Sequence, residues 1–438
     1  MQELDPAATA WLLASTALVL LMTPGLAIFY GGMVRTTGVL NMIMMSFISI
    51  PLVTVAWLLA GYSLAFSGDG GGFGLIGDLA HFGMTGIAPD TLHGAVPELL
   101  FATFQLTFAI ITAALVSGAI ADRARFSAWV VFVPVWAIVV YSVVAHWVWN
   151  PEGWLFKLGV LDYAGGLVVE IVSGASALAL ALVLGPRIGF NKDAMRPHNL
   201  PFVLLGVGLL WFGWFGFNAG SALAANGMAA AIFLNTLVAG CLGMLGWLAV
   251  EKFRDGRPTT FGAASGVVAG LVAITPSCGT VNTLGAVVVG LAAGVVCSFA
   301  IGLKFKVGYD DSLDVVGVHF VGGVVGVLLI GLLATEVMTG GAAGLFYGGG
   351  FLQFGKQALG AAVVAVYAFG VSYLLAKLID RVMGFRLSPE DETTGVDFTQ
   401  HAETAYAEGV HGHLANRRPS GLGDLNAPRP RPDAADEN

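Results

Sequence analysis

The sequence predicts an all-α membrane protein of eleven transmembrane helices, built as two inverted five-helix repeats followed by one C-terminal helix. Three observations carry this expectation. Apolar runs of spanning length recur along the chain, basic residues gather in alternate loops, and a short pattern of ionisable residues and glycine returns five spans later.

Of the 438 residues, 56% are hydrophobic and 11% charged, and the mean hydropathy is +0.81. A soluble domain carries roughly 25% charged residues, so this chain has too little charge to coat a water-facing surface. A transmembrane helix needs about 20 mainly apolar residues. Runs that meet or approach this cover residues 8–33, 39–66, 95–120, 128–149, 163–184, 201–220, 227–250, 261–275, 283–303, 314–333 and 352–380. The eighth is cut short near Pro276. The chain holds 61 glycines, about twice the usual share of roughly 7%. They sit inside the apolar runs, as in Gly266xxxGly270, Gly290xxxGly294 and Gly322xxxGly326, where small residues let helices approach closely.

Lys and Arg set the orientation. The odd-numbered loops hold Arg35; Arg123 and Arg125; Arg187, Lys192 and Arg196; Lys252, Arg254 and Arg257; Lys304 and Lys306. The even-numbered loops contribute Lys157 as their one firm basic residue, and Arg381 and Arg386 after the last span continue the odd set. This alternation implies an odd span count, with the N-terminus outside and the C-terminus in the cytoplasm. The short acidic N-terminus lacks the basic region of a cleavable signal peptide.

Asp162 is followed by Glu170 eight residues on and by Gly174 twelve residues on. Asp311, His319 and Gly323 keep the same spacings five spans later. The second copy would then lie upside down relative to the first, as in transporters whose pathway runs along the repeat interface. Glu170 and His319 both sit deep in apolar runs, where ionisable groups are costly and rare. Each could be a neutral core residue bonded to local backbone. At repeat-related positions the pair points instead to a pathway. Asp162, at a helix start, reads as an N-cap that can also favour cations at the outer mouth.

Aromatics are the second unusual group. The sixth run interleaves Trp211, Phe212, Trp214, Phe215 and Phe217 with glycine. Phe104 and Phe108 lie one turn apart in the third run, and Trp149 ends the fourth. Interfacial belts and bilayer-facing packing explain most membrane aromatics. Cys241, Cys278 and Cys297 form no metal-ligand or disulfide spacing, so neither a metal nor another cofactor is expected. No HExxH or GxSxG marks an intramembrane enzyme, and a nucleic-acid partner is not expected.

Several segments together resemble the Amt/Mep/Rh ammonium transporters, on the Amt/Mep side. They are FYGG (29–32), GYSLAF (61–66), RFSA (125–128), DYAGG (162–166), PHNLP (197–201), GWFGFNAGS (213–221), DVVGVH (314–319) and GVDFTQHAETAY (395–406). The resemblance implies the ammonium-transporter fold in a homotrimer, with one narrow pore per subunit. It implies an outer recruitment site for NH4+ at Trp149, Phe104 and Ser221, supported by Asp162. A gate of Phe108 and Phe217 follows, with Trp214, Glu170 and His319 lining the pore. The family normally has two histidines here; His319 fits the second position, while Glu170 occupies the first, as in some fungal members. A Glu–His pair exchanges protons as a coupled unit.

The expected domains are a transmembrane unit (1–383), an ordered cytoplasmic segment (384–407) and a disordered end (408–438). Within the first, repeat one runs over about 8–184, repeat two over about 201–333, and helix eleven over about 352–380. The resemblance implies ammonium, with methylammonium as a further candidate, as the substrate in the cell membrane. It also allows a PII-type regulatory protein at the cytoplasmic face. A rival expectation is an ammonium sensor, although the roughly 55 residues past 384 leave no room for the fused output domain such members carry.

Overall fold

A computed structural model describes residues 3–406. The end expected to be disordered, 408–438 with His411 and His413, lies outside the described residues. Ten helices are long and apolar enough to cross a membrane. We number the spans α1 (Pro6–Met33), α2 (Val39–Phe66), α3 (Glu98–Ile120), α4 (126–149), α5 (Gly166–Leu184), α6 (Leu200–Gly220), α7 (Gly227–Arg254), α8 (Thr260–Ile274), α9 (Thr283–Ala300), α10 (Val316–Leu333) and α11 (Leu352–Met383). A small ribbon, β1 (Leu92–His93) and β2 (Val96–Pro97), stands in the loop before α3.

The eleventh member is α8, at 15 residues. Pro276 has no N–H with which to continue the helix, and the chain proceeds in turns to Val281. Residues 275–280 are buried throughout. Irregular backbone at membrane depth is tolerated where protein rather than lipid surrounds it.

The sequence caps its own helices. Asp5 accepts from the N–H groups of Ala7 and Ala8 at the start of α1. Asn199, Asn226, Thr259 and Asn282 do the same for α6, α7, α8 and α9. Each satisfies N–H groups that a helix start leaves open. Small residues then bring α7, α8 and α9 together: a Cβ on Gly270 or Gly290 would meet the Ala239 carbonyl, and one on Gly294 the Gly243 carbonyl.

The repeats are inverted copies. Their first helices, α1 and α6, pack along one another, and their fifth, α5 and α10, cross. Both crossing helices begin with a π-helical turn, Gly166–Ile171 and Val316–Phe320. Both are capped by the aspartate four or five residues before: Asp162 accepts from the N–H groups of residues 165–168, Asp311 from those of 315 and 316. At the crossing, a Cβ on Gly174 would fall 2.5 Å from Phe320, and one on Gly323 2.8 Å from the Glu170 Cβ. The glycine of the repeated pattern is therefore what allows the two helices to touch.

The basic loops share one face. There the Arg187 guanidinium grips the Asp310 carboxylate with two N–H groups, each at 2.9 Å. The fully buried Arg123 donates to the Asp310 carbonyl (2.6 Å), the Ser312 hydroxyl (2.7 Å) and the Gly185 carbonyl (2.8 Å). Burial works to raise the Asp310 carboxyl, but the hydrogen bonds and charge of Arg187 and the charge of Arg123 hold it below the usual carboxylate range. Residues 384–406 run across the same face. Leu387 bonds the Arg123 carbonyl at 2.9 Å. Two short helices, α12 (Pro389–Thr394) and α13 (Val396–His401), follow. The Asp397 carboxylate caps α2 through the N–H groups of Leu40 (3.0 Å) and Asn41 (2.7 Å).

Candidate functional site

Opposite the basic face, a vestibule of about 250 Å³ opens between the start of α3 and the ends of α4 and α6. Phe66, Phe101, Phe108, Trp149, Tyr163 and Ser221 line it, with His93 and Gln105. The Trp149 indole is held by its Nε1–H, which donates to the Asp162 carbonyl at 3.0 Å. Asp162 thus serves twice: its carboxylate caps α5 and its carbonyl orients the tryptophan. The Ser221 hydroxyl donates to the Phe217 carbonyl at 2.8 Å. That spends its proton and leaves its lone pairs as acceptors. A cation carrying N–H donors finds aromatic faces and a hydroxyl acceptor here.

The vestibule floor is an aromatic plug. The Phe108 and Phe217 rings stack with centroids 4.1 Å apart and planes at 29°, and each is 1% exposed. Trp149 meets Phe108 edge-on at 5.9 Å. Phe104 does not reach the vestibule wall. It is fully buried and braces Phe108 from behind, edge-on at 4.8 Å. Phe101, one turn earlier on α3, stands at the wall instead, with the His93 ring stacked flat on it at 3.7 Å.

Below the plug lies a narrow buried cavity with about 10 Å³ for the centre of a water-sized molecule, roughly enough for one such molecule. Apolar groups from α1, α3, α5, α6 and α8 line it, and Trp214, Glu170 and His319 join them. Glu170 and His319 come from the two crossing helices. His319 Nδ1 lies 2.7 Å from Glu170 Oε2, with a single proton's place between them. The π-helical turns, a feature often found at functional sites, carry both residues to the crossing. Glu170 Oε1 is buried without a partner. Among the described residues, no group of three or more His, Cys, Asp or Glu could hold a metal ion.

This succession of mouth, plug and apolar cavity is set in a fold shared with known proteins. A family model described as the Ammonium Transporter Family matches residues 10–406. The chain belongs to the ammonium transporter family. An ammonium transporter of Mycobacterium tuberculosis is 54% identical over 434 residues, covering 92% of this chain and 90% of that protein. The crystal structure of Saccharomyces cerevisiae Mep2 superposes with a TM-score of 0.82 at 36% identity, covering 89% of each chain. A solved structure described as a sensor Amt protein is similar as well, with a TM-score of 0.82 at 29% identity over 90% of this chain and 98% of that one.

The transporter's aromatic constellation was partly visible in its sequence. Phe101, Phe104 and Phe108 follow helical spacing, so the i, i+3, i+7 pattern places all three on one side of α3. Periodicity did not separate the ring facing the vestibule from the one behind it. Tyr163 and His93, contributed by loops, carried no such signal.

Proposed function

We propose that this transporter recruits NH4+ in the vestibule and passes NH3 through the apolar cavity, while Glu170 accepts the proton stripped from NH4+ and shares it with His319. The observation that carries this reading is the 2.7 Å Glu170–His319 pair in a cavity sealed by two stacked phenylalanines. Trp149 and Phe108 supply cation–π attraction, worth about 0.5–2 kcal/mol, and Ser221 accepts a hydrogen bond. Phe104 and Asp162 hold these groups in place. A hydrated alkali ion meets no acceptors in the plug to replace its water, whereas NH3 crosses as a neutral molecule.

Glu170 and His319 can exist as neutral acid and neutral imidazole, or as carboxylate and imidazolium. Moving one proton across the bond interconverts the two states without changing the net charge. A proton delivered to Glu170 from the vestibule side can therefore leave from His319. The positive-inside rule supports a cytoplasmic basic-loop face and an outer N-terminus for this protein of the cell membrane. Each subunit works as one pore of a homotrimer. Residues 384–406, bonded to the basic loops, give a PII-type protein a surface from which to act on the pore.

The test is current recording from purified protein in supported bilayers during ammonium pulses. A transient that scales with ammonium and survives replacement of Na+ by K+ supports the reading. Ammonium binding without current would favour a sensor, the role named in the description of one structural relative, or a neutral gas channel.

A further inference from the structure

Three residues in the wall of the buried cavity carry polar hydrogens or can hold a proton: Glu170, His319 and Trp214. The Trp214 N–H is not turned to the cavity. It donates at 2.8 Å to the hydroxyl of Thr275, which is fully buried at the end of α8. The Thr275 proton is in turn directed at the Leu271 carbonyl (2.8 Å), with Asn218 Oδ1 at 3.3 Å. Asn218 Nδ2 donates to the Thr236 hydroxyl at 3.1 Å, and that hydroxyl to the Ile232 carbonyl at 2.8 Å. Asn218 directly follows the gate residue Phe217. Neither Thr275 nor Asn218 lines the vestibule or the cavity. This chain bolts α6, which carries the gate and Trp214, to α7 and α8. It is not an automatic consequence of placing an indole on α6: Trp211, on the same helix, leaves its Nε1–H buried without a partner.

We infer that Thr275 is a positioning residue which, by taking up the Trp214 N–H, keeps that hydrogen out of the conduction cavity and so keeps the cavity dry. The inference rests on the reading of this cavity as the NH3 path. The reason is local. Glu170 Oε1 is a buried acceptor with no donor. An indole N–H released from Thr275 must find a new acceptor, because an unpaired buried donor is costly. Water drawn into the cavity would supply an acceptor for that N–H and a donor for Glu170 Oε1, since both residues line it. The same water would give protons and alkali cations a foothold beneath the plug.

The experiment compares Thr275→Val, which removes the hydroxyl at nearly constant volume, with Thr275→Ser, which keeps it. Both are made in the parent protein and in a Trp214→Phe background that has no indole N–H. The readout is the ratio of K+-evoked to ammonium-evoked current in reconstituted bilayers, alongside the apparent KM for ammonium. Thr275→Val should raise the ratio by about tenfold, the scale set by one stranded donor. The apparent KM, set in the vestibule, should not move. Thr275→Ser should match the parent. In the Trp214→Phe background, Thr275→Val should add nothing to the ratio.

An unchanged ratio in Thr275→Val overturns the inference. So does an equal rise with and without the indole, which would mark Thr275 as packing alone. If the parent passes no ammonium current, the reading of the pore fails instead. Proton entry into vesicles under a pH gradient then decides the role of Thr275: faster entry in Thr275→Val than in the parent supports it, and equal entry overturns it.

Discussion

Replacing Glu170 by Gln keeps the size and shape of the side chain and removes its ability to hold a transferable proton. The Glu170–His319 contact, at 2.7 Å and with both residues buried, has the length of a charge-assisted hydrogen bond. Bonds to charged groups contribute about 1.5–3 kcal/mol. If that energy stabilises the state in which the proton has moved from Glu170 to His319, its loss slows relay by about 10- to 100-fold, at about 1.4 kcal/mol per decade. The assay is the initial ammonium-evoked current per amount of reconstituted protein, recorded across a range of pH beside Glu170→His and Glu170→Leu. Glu170→Gln should lose at least nine-tenths of the current and most of its pH dependence. Glu170→His should conduct, with a displaced pH profile. Glu170→Leu should assemble as the parent does and lose or deregulate transport. A parental current and pH profile in Glu170→Gln would refute the relay.

Trp149→Leu removes the aromatic face and the bond to the Asp162 carbonyl. The apparent KM for ammonium should rise by about 3- to 30-fold, as expected for a cation–π contact, with the maximal rate nearly unchanged, measured by uptake into proteoliposomes. Phe217→Ala removes half of the stacked plug. It should admit K+ current and lower stability by about 3–5 kcal/mol, the usual cost of deleting a buried aromatic ring, seen as a fall in thermal midpoint. Asp310→Asn takes the nearest counter-charge from the buried Arg123 and leaves Arg187 with Asp122 alone, at 3.7 Å. It should destabilise by about 3–5 kcal/mol, read as the same midpoint shift. Because the Asp310 carboxyl is held below its usual range, its contribution is present above the unfolded-state value of about 4 and lost as pH falls through the folded one. Acidification below about pH 4 should therefore lower the thermal midpoint of the parent more than that of Asp310→Asn.

Much of the architecture was legible in the amino-acid order. Membrane helices must satisfy their own backbone hydrogen bonds, so hydropathy marks each span, and α8 is short because Pro276 ends it. The spacing from Asp162 to Glu170 and from Asp311 to His319 encodes a cap and the buried group eight residues beyond it. That local geometry repeats wherever the spacing does. The sequence therefore determined which residues were anomalous for a membrane, and that the two anomalies stand at equivalent places in inverted halves.

What the sequence left open was settled by helix rotation and crossing. Glu170 and His319 are 149 positions apart, and their contact depends on Gly174 and Gly323 letting α5 and α10 touch. On α3, the one-turn spacing put Phe104 and Phe108 on one side, and the packing of neighbouring helices decided that Phe104 braces the plug while Phe101 faces the vestibule. Thr275 carries no sequence signal beyond that of an ordinary helix end. Its significance comes from the Trp214 N–H that another helix delivers 2.8 Å from its hydroxyl. A local pattern specifies which way a side chain leaves its own helix, and only the assembled bundle specifies what it meets there.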